Sequence, residues 1–424
     1  MAKTITGKQV GDSYYQVEHP SGLTVLLYPK EHCSTTYAIF GTRYGSIDNC
    51  FQRSDEAGPE SVPEGIAHYL EHKLFESEEG DAFERFSKTG ASANAFTSFE
   101  STCYLFSTTD QVYQSLEILL DFVQSPYFTE ETVRKEQGII GQEIKMYDDD
   151  PQWRVMFNYL KAMYHSHPIR EDIAGTVESI AKITPELLYR CYNTFYNLGN
   201  MVLAIAGNFQ VDKALAVCDK MLKPAAPVTV KRVFPQELDT IVQPVVEERL
   251  SVASPLFQFG FKEPGADQPR SEKDVAATEV LLETLASDAS PLFRRLLDQG
   301  LVNESSFSYE YFEGNGYATV MFSGESKDPQ AVAQAILEEV ERFQREGIPA
   351  EAFERSKRAL YGELVAALNS TGSIANGLVN MHLKGRELFT YIDSLASLRL
   401  EDGEERLRKV FQRERSVLSV ILPH

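Results

Sequence analysis

An internal repeat constrains the fold of this 424-residue chain more than any single motif does. Residues 129–144 align with residues 349–364 at an offset of 220, and the alignment keeps the helix start, the apolar spacing and a late glutamate. The apolar run at residues 202–205 is likewise similar to the run at 418–421. A helix and a strand that recur at such a distance indicate a duplicated α+β unit.

The length of the chain suggests two or three domains. A chain of this length is too long for one ordinary hydrophobic core. Its 43% hydrophobic and 24% charged residues are typical of globular proteins. Residues 223–246 contain four prolines and little periodicity, which is typical of a linker. We therefore predict a first domain at 1–222, a linker at 223–246 and a second domain at 247–424.

The net charge of −21 argues against nucleic acid and against anionic membrane surfaces as partners, because both would repel this chain. The first residues lack the apolar core of a secretory signal, and no apolar run is long enough to span a bilayer. The five cysteines are odd in number and unclustered, which is typical of free thiols in a reducing compartment. We expect a cytoplasmic protein.

The pattern of apolar runs and turn residues in the first 110 residues predicts a β-sheet. Residues 13–46 contain three apolar strands separated by turn residues, which we interpret as a meander. Residues 91–95 are small and lead into a β-rich run at 102–107. Small residues would let another backbone approach, as an edge strand that accepts an extended peptide requires. A plain hairpin arm also explains them, and the residues alone slightly favour that interpretation.

The run at residues 65–75 contains His68, Glu71 and His72. If it is helical, the two histidines project side by side at a spacing that can hold one metal ion, with the carboxylate beside them. Pro63 and Glu64 suit a first turn, and the run carries an apolar stripe at Ile66, Leu70 and Leu74. The alternative is a surface helix with two solvated histidines.

A second helix is predicted after Thr129, a good N-cap. It carries Glu136 and Glu143, which are seven residues apart and therefore lie on one face. Gly138 and Gly141 interrupt it at a cost of about 1 kcal/mol each relative to alanine. Local tolerance could explain them, but a carboxylate helix packed closely against the histidine helix would explain both glycines and both acids.

A hydrolytic zinc site needs three protein ligands and one open position. His68 and His72 supply two ligands, and we choose Glu143 as the third. Glu71 would take the proton as water attacks a peptide carbonyl, and Glu136 could tune or assist that group.

With these residues in place, the chain resembles the pitrilysin/insulinase family of inverzincin zinc metallopeptidases, whose signature is His-x-x-Glu-His. It is most similar to the short two-domain branch, which includes the mitochondrial and bacterial processing peptidases. The resemblance covers nearly the whole chain and rests on five blocks: Gly65–Phe75, Asn94–Thr97, Glu136–Glu143, His167–Pro168 with Gly175, and Asn200–Asn208.

The resemblance implies one zinc ion per chain on His68, His72 and Glu143, with Glu71 as catalytic base and Glu136 as a supporting acid. It implies that an edge strand containing Asn94, Ala95, Phe96 and Thr97 binds substrate by strand addition. It also implies an α+β fold of two homologous domains, each an antiparallel sheet covered by helices, and two chains enclosing a chamber for unfolded peptides.

The sequence departs from that family in its second half. Active members often carry an Arg and a Tyr seven residues apart that hold substrate, and here Leu297 and Glu304 stand at the positions where we expect them. We expect a zinc-dependent endopeptidase that forms a homodimer, or a heterodimer with a related chain that lacks the zinc motif but carries the Arg and the Tyr. The alternative is a structural or peptide-binding subunit without turnover.

Overall fold

The computed structural model describes residues 2–78, 80–265 and 270–424. The strands of this part of the chain are β1 (Ala2–Thr6), β2 (Ser13–Glu18), β3 (Thr24–Pro29), β4 (Thr36–Thr42), β5 (Cys50–Arg53), β6 (Glu60–Ser61), β7 (Glu76–Ser77), β8 (Gly80–Asp81), β9 (Ser92–Thr97), β10 (Thr102–Thr108), β11 (Met201–Gly207), β12 (Val230–Arg232), β13 (Val245–Leu250), β14 (Leu256–Lys262), β15 (Ser308–Gly314), β16 (Tyr317–Glu325) and β17 (Ser416–Pro423).

The α-helices of the described residues are α1 (Ile66–Leu74), α2 (Ala82–Thr89), α3 (Val112–Val123), α4 (Glu130–Asp148), α5 (Pro151–Met163), α6 (Val177–Ile180), α7 (Pro185–Phe195), α8 (Val211–Met221), α9 (Glu272–Ala286), α10 (Pro291–Asp298), α11 (Pro329–Glu346), α12 (Ala350–Ala367), α13 (Thr371–Leu383), α14 (Leu388–Ala396) and α15 (Leu400–Val410). None of them combines the length and the apolar character that crossing a lipid bilayer requires.

Contacts divide the chain into two compact units that do not follow the sequence halves. The first unit consists of Met1–Ile144, Glu171–Val233 and Val365–Thr390, and the second consists of Lys145–Arg170, Phe234–Leu364 and Tyr391–His424. Strand β12 and the start of β13 lie within the low-periodicity stretch at 223–246. The division of the sequence at that stretch stays a prediction.

The first unit contains a seven-stranded sheet in the order β1-β2-β3-β11-β4-β10-β9. The three strands predicted within residues 13–46 are present as β2, β3 and β4, but the meander interpretation was wrong. Strand β11 lies between β3 and β4, parallel to β3 and antiparallel to β4. All seven β11 residues are buried, so this apolar segment forms the centre of the sheet rather than an edge.

The two faces of this sheet carry different helices. Thr42 donates a hydrogen bond of 2.7 Å from its hydroxyl to the carbonyl of Phe195 in α7. A Cβ atom added to the neighbouring Gly41 would instead lie 3.0 Å from Val379 of α13. Successive strand residues point to opposite faces, so α7 and α13 cover opposite sides of the sheet. Helix α1 contacts α7, which places the histidine helix on the α7 face.

The second unit repeats the first. Its five-stranded sheet has the order β13-β17-β14-β16-β15, with β13 parallel to β17 and β17 antiparallel to β14. This is the arrangement of β3, β11, β4, β10 and β9 in the first sheet. The duplication and the α+β class predicted from the sequence are confirmed, and each sheet contains one parallel pair among its antiparallel neighbours.

Each sheet is covered on one side by a helix from the other half of the sequence. Helix α13, from the second half, packs on β11 and β4, whereas α5, from the first half, packs on β17 and β14. Tyr159 of α5 shares a hydrogen bond of 2.6 Å with Thr319 of β16 and is fully buried. The halves of the sequence have therefore exchanged equivalent helices.

Candidate metal centre

Helix α1 begins one turn later than the sequence suggested. Its N-cap is Gly65, at a φ of 83°, so Pro63 and Glu64 precede the helix instead of forming its first turn. A Cβ atom at position 65 would lie 2.3 Å from the carbonyl oxygen of Ala174. Only glycine combines this left-handed conformation with such a close approach. The predicted apolar stripe is buried as expected.

Helix α4 lies against α1 and brings its two glutamates to the histidines. His68 Nε2 is 3.7 Å and His72 Nε2 is 3.4 Å from the two carboxylate oxygens of Glu143. The ligand atoms of these three residues all lie within 4.8 Å of one another, which is the grouping expected of a shared metal ion. Tyr69 of α1 also donates a hydrogen bond to the carbonyl of Val133 in α4.

The packing explanation for the two glycines of α4 was wrong. A Cβ atom at Gly138 or Gly141 would meet no atom of the described residues within 4 Å. Local tolerance therefore accounts for the glycines, although the predicted pairing of α4 with α1 is present. Of the two isoleucines between the glutamates, Ile140 is buried and Ile139 is 48% exposed.

Glu136 fixes the orientation of one imidazole ring. Its carboxylate lies 3.0 Å from His72 Nδ1, so the Nδ1–H donates to Glu136 and Nε2 is turned towards Glu143. Burial lowers the pKa of His72, but the hydrogen bond to Glu136 and the nearby carboxylates outweigh burial and raise that pKa overall. Burial raises the pKa of Glu136, but the hydrogen bond to His72 and the charge of that imidazole outweigh burial, so the pKa of Glu136 is lowered.

His68 is held differently. Its ring is buried, and its Nδ1 has no hydrogen-bond partner among the described residues. Burial and the neighbouring His72 lower the pKa of His68 to about 4, so this imidazole is neutral at physiological pH. A neutral imidazole with Nε2 facing a carboxylate is the form in which histidine binds zinc.

Glu71 lies beside this group and does not belong to the ligand cluster. Only 8% of the residue is exposed, and its Oε2 accepts a hydrogen bond of 2.7 Å from the hydroxyl of Thr97. Burial raises the pKa of Glu71 despite the lowering effects of Thr97 and His72. A buried carboxylate with a raised pKa is a suitable general base near neutral pH.

Strand β9 contains the remaining predicted residues and lies at the edge of the sheet, where β10 is its only strand partner in the described part of the chain. Asn94 is exposed, and Ala95, Phe96 and Thr97 are half-buried. Thr97 pairs with Thr102, so the Ala95 and Thr97 side chains share the α1 face while Asn94 and Phe96 point to the other face. The position at an edge is established, and the binding role stays a prediction.

Sequence reasoning missed two contacts near the centre. It did not foresee that Thr97 reaches Glu71, because nothing in the spacing shows which strand face meets the helix. It also passed over Lys73, which is fully buried, forms an ion pair with Glu76 and contributes to the lowered pKa of Glu136. The position of Lys73 directly before the apolar residues Leu74 and Phe75 is the only signal that could have drawn attention to it.

The second unit contains the two positions that depart from the expected pattern. Leu297 lies in the last turn of α10 and is half-buried. Glu304 is exposed in the turn that precedes β15.

Comparison with known proteins identifies the family. Residues 60–177 match the model described as insulinase (peptidase family M16), and residues 182–360 match the model of the peptidase M16 inactive domain. The Bacillus subtilis protein named as an uncharacterized zinc protease, YmfH, is 39% identical over 428 residues that cover 100% of both chains. The chain belongs to peptidase family M16.

Solved M16 structures extend the match to the fold. A crystal structure described as an M16-like peptidase, from Alicyclobacillus acidocaldarius, is 35% identical, covers 100% of this chain and 98% of its own, and superposes with a TM-score of 0.92. A protease from Helicobacter pylori covers 100% of both chains at a TM-score of 0.79 and 18% identity, and therefore supports the fold alone. The M16 fold with two sheet-and-helix domains is thus established for this protein.

The residues at this M16 site suit zinc. Two imidazoles and one carboxylate are the ligand set of several hydrolytic zinc enzymes. The ring of His68 is buried, its Nδ1 has no hydrogen-bond partner among the described residues, and its Nε2 lies 3.7 Å from Glu143 Oε1. A metal ion bound between Nε2 and that carboxylate would account for this placement. His72 also has the outer carboxylate partner that zinc-binding histidines usually have.

Proposed function

We propose that this protein is a zinc-dependent endopeptidase that hydrolyses peptides or unfolded segments held in extended form. The observation that carries the proposal is the convergence of His68, His72 and Glu143 within 4.8 Å, with Glu71 buried beside them. Relatives named as zinc proteases support the same reaction class.

In this proposal His68, His72 and Glu143 hold one zinc ion. Bound there, the ion supplies Lewis acidity, which polarises the scissile carbonyl and makes water more acidic. Glu136 keeps the Nδ1–H of His72 occupied, so that Nε2 stays available to the metal.

Glu71 moves the proton in the proposed reaction. Its carboxylate takes a proton from the attacking water as the new C–O bond forms at the peptide carbonyl. The same proton then passes to the amide nitrogen, so the C–N bond breaks and the leaving group departs as an amine. The raised pKa of Glu71 brings its proton affinity closer to what both transfers require.

Strand β9 is the proposed docking strand. Its outer edge is unpaired among the described residues, and an extended peptide could add there through main-chain hydrogen bonds. Asn94 to Thr97 lie near the end of β9 that reaches Glu71, so an added peptide would pass the reacting groups. We further propose a dimeric chamber, formed with a second copy or with a related chain that supplies the Arg and the Tyr absent at Leu297 and Glu304.

The first experiment measures zinc content and the cleavage of a fluorogenic peptide library by the purified chain. Glu71→Gln and a chelator with zinc add-back serve as controls. About one zinc per chain with cleavage that depends on Glu71 would support a self-sufficient peptidase. Zinc without cleavage would direct the search to the partner chain, and failure to bind zinc would overturn the proposal.

A further inference from the structure

The Thr97 hydroxyl contacts the proposed base directly, although its strand is expected to bind substrate through the backbone. Thr97 donates a hydrogen bond of 2.7 Å to Glu71 Oε2. This bond joins the last residue of the edge strand to the helix that carries both histidines. We infer that Thr97 is the positioning residue for Glu71, holding one carboxylate oxygen so that the other faces the reacting water. The inference rests on the proposed peptidase function and adds a role that motif spacing does not assign.

Thr97 is supported by buried and hydrogen-bonded neighbours. Its strand partner Thr102 is fully buried and donates a hydrogen bond of 2.9 Å to the carbonyl of Tyr44. Beyond Thr97 the chain turns tightly, and Ser98 N–H donates to the carbonyl of Ser101 at 2.8 Å. Catalytic geometry is maintained by such fixed supporting groups rather than by the reacting side chain alone.

A glutamate with three rotatable bonds needs this support. Without a partner, the Glu71 carboxylate could rotate away from the reacting position or turn either oxygen towards it. A hydroxyl that donates to an ionised oxygen forms a stronger bond than one between neutral groups, and its direction selects the oxygen that is held. Thr97 therefore acts through Glu71, and its contribution should disappear when Glu71 no longer acts as a base.

The test is a double-mutant cycle. Thr97→Val removes the hydroxyl at nearly constant volume, and Thr97→Ser keeps it. We expect Thr97→Val to lower kcat on the order of tenfold to a hundredfold, with KM and zinc content unchanged, and Thr97→Ser to restore most of the rate. In the Glu71→Gln background Thr97→Val should have no further effect, because both changes remove the same proton transfer. Additive losses would overturn the inference.

Thr108→Val is the matched control. Thr108 lies at the far end of β10, and its hydroxyl donates to the carbonyl of Asp110 at 2.6 Å. This substitution also removes a threonine hydroxyl bond at an adjacent strand but touches no proposed catalytic group. It should leave kcat within about twofold, as is usual for changes away from special sites.

Crystal structures of Thr97→Val and Thr97→Ser provide a readout that needs no activity. The Glu71 carboxylate should move or split into two orientations in Thr97→Val and keep its wild-type orientation in Thr97→Ser. An unmoved carboxylate in Thr97→Val would overturn the inference even if the peptidase proposal stands. Conversely, a wild-type chain that binds no zinc would overturn the peptidase proposal while the crystal structures still decide the role of Thr97.

Discussion

The two units share a strand arrangement but differ at the helix that follows the equivalent core strand. In the first unit α1, the first helix after β4, places His68 and His72 four residues apart beside the carboxylate helix α4. In the second unit α9, the first helix after β14, carries Glu279 and Glu283 at the same spacing. The corresponding helices of the two units therefore carry different side-chain chemistry, two imidazoles in the first unit and two carboxylates in the second.

Glu279 and Glu283 each accept a hydrogen bond from a tyrosine. Tyr391 donates a hydrogen bond to Glu279, and Tyr309 donates one to Glu283. Glu363 on α12 occupies the repeat position of Glu143, but the described residues of the second unit contain no histidine near it to complete a ligand set. The framework supplies equivalent elements in both units, whereas among the described residues only the first unit has imidazoles that face a carboxylate and so form a candidate metal site.

The largest difference between the units is expected when the same repeat position is changed in each. Glu143→Gln should abolish both stoichiometric zinc binding and cleavage. Loss of a hydrogen-bonding partner of a ligand lowers metal affinity by up to roughly 100-fold, and loss of a ligand itself should lower it further. Glu363→Gln should keep both zinc binding and cleavage. Zinc content after dialysis and peptide cleavage distinguish the two variants, and equal zinc loss in both would contradict the assignment.

A second prediction separates metal binding from proton transfer within the first unit. Glu71→Gln should keep about one zinc per chain and lose cleavage by roughly 10²- to 10⁴-fold, the usual contribution of a general base. Zinc analysis and initial rates on the same sample provide the measurement. If the variant retained full activity, Glu71 would not be the base.

His167, a buried histidine of the second unit, offers a third test. His167 in the second unit donates from Nε2 to the carbonyl of Asn315 and accepts at Nδ1 from the N–H of Ile169. Burial lowers its pKa from 6.5 to about 4. Between these values the unfolded chain binds the extra proton, so the free energy of unfolding should fall by about 3 kcal/mol as the pH drops through that window.

Denaturant unfolding at pH 4 to 7 would measure this effect. His167→Gln cannot titrate and should lose stability less steeply with acidification than the wild type, although it starts from a lower value. His32→Gln, at an exposed histidine, should retain the wild-type slope. An unchanged slope in His167→Gln would show that other groups dominate the acid response.

The smallest effect is expected at Glu136, which contacts His72 without joining the ligand cluster. Glu136→Gln keeps a hydrogen-bond acceptor but removes the charge, and should weaken zinc binding about 10- to 100-fold. Competition with a chromogenic zinc chelator would measure the change. An affinity loss as large as that of Glu143→Gln would mean that Glu136 is itself a ligand.

Short-range patterns predicted the local elements well. Helical spacing predicted His68 and His72 on one face of their helix, and the repeat at offset 220 predicted the duplicated unit. Neither pattern could reveal the insertion of β11 between β3 and β4, because strand order depends on pairing between distant segments. The contact from Thr97 to Glu71 was hidden for the same reason.

The exchange of α5 and α13 also affects when each sheet can fold during synthesis. A ribosome completes every strand of the first sheet by residue 207, yet the helix that covers one of its faces ends at residue 383. During that interval one apolar face of the first sheet stays exposed. Nascent chains on the same messenger RNA can associate through such exposed apolar surface. We therefore expect late, nearly simultaneous maturation of both units, and fragments cut between them should be poor folding models.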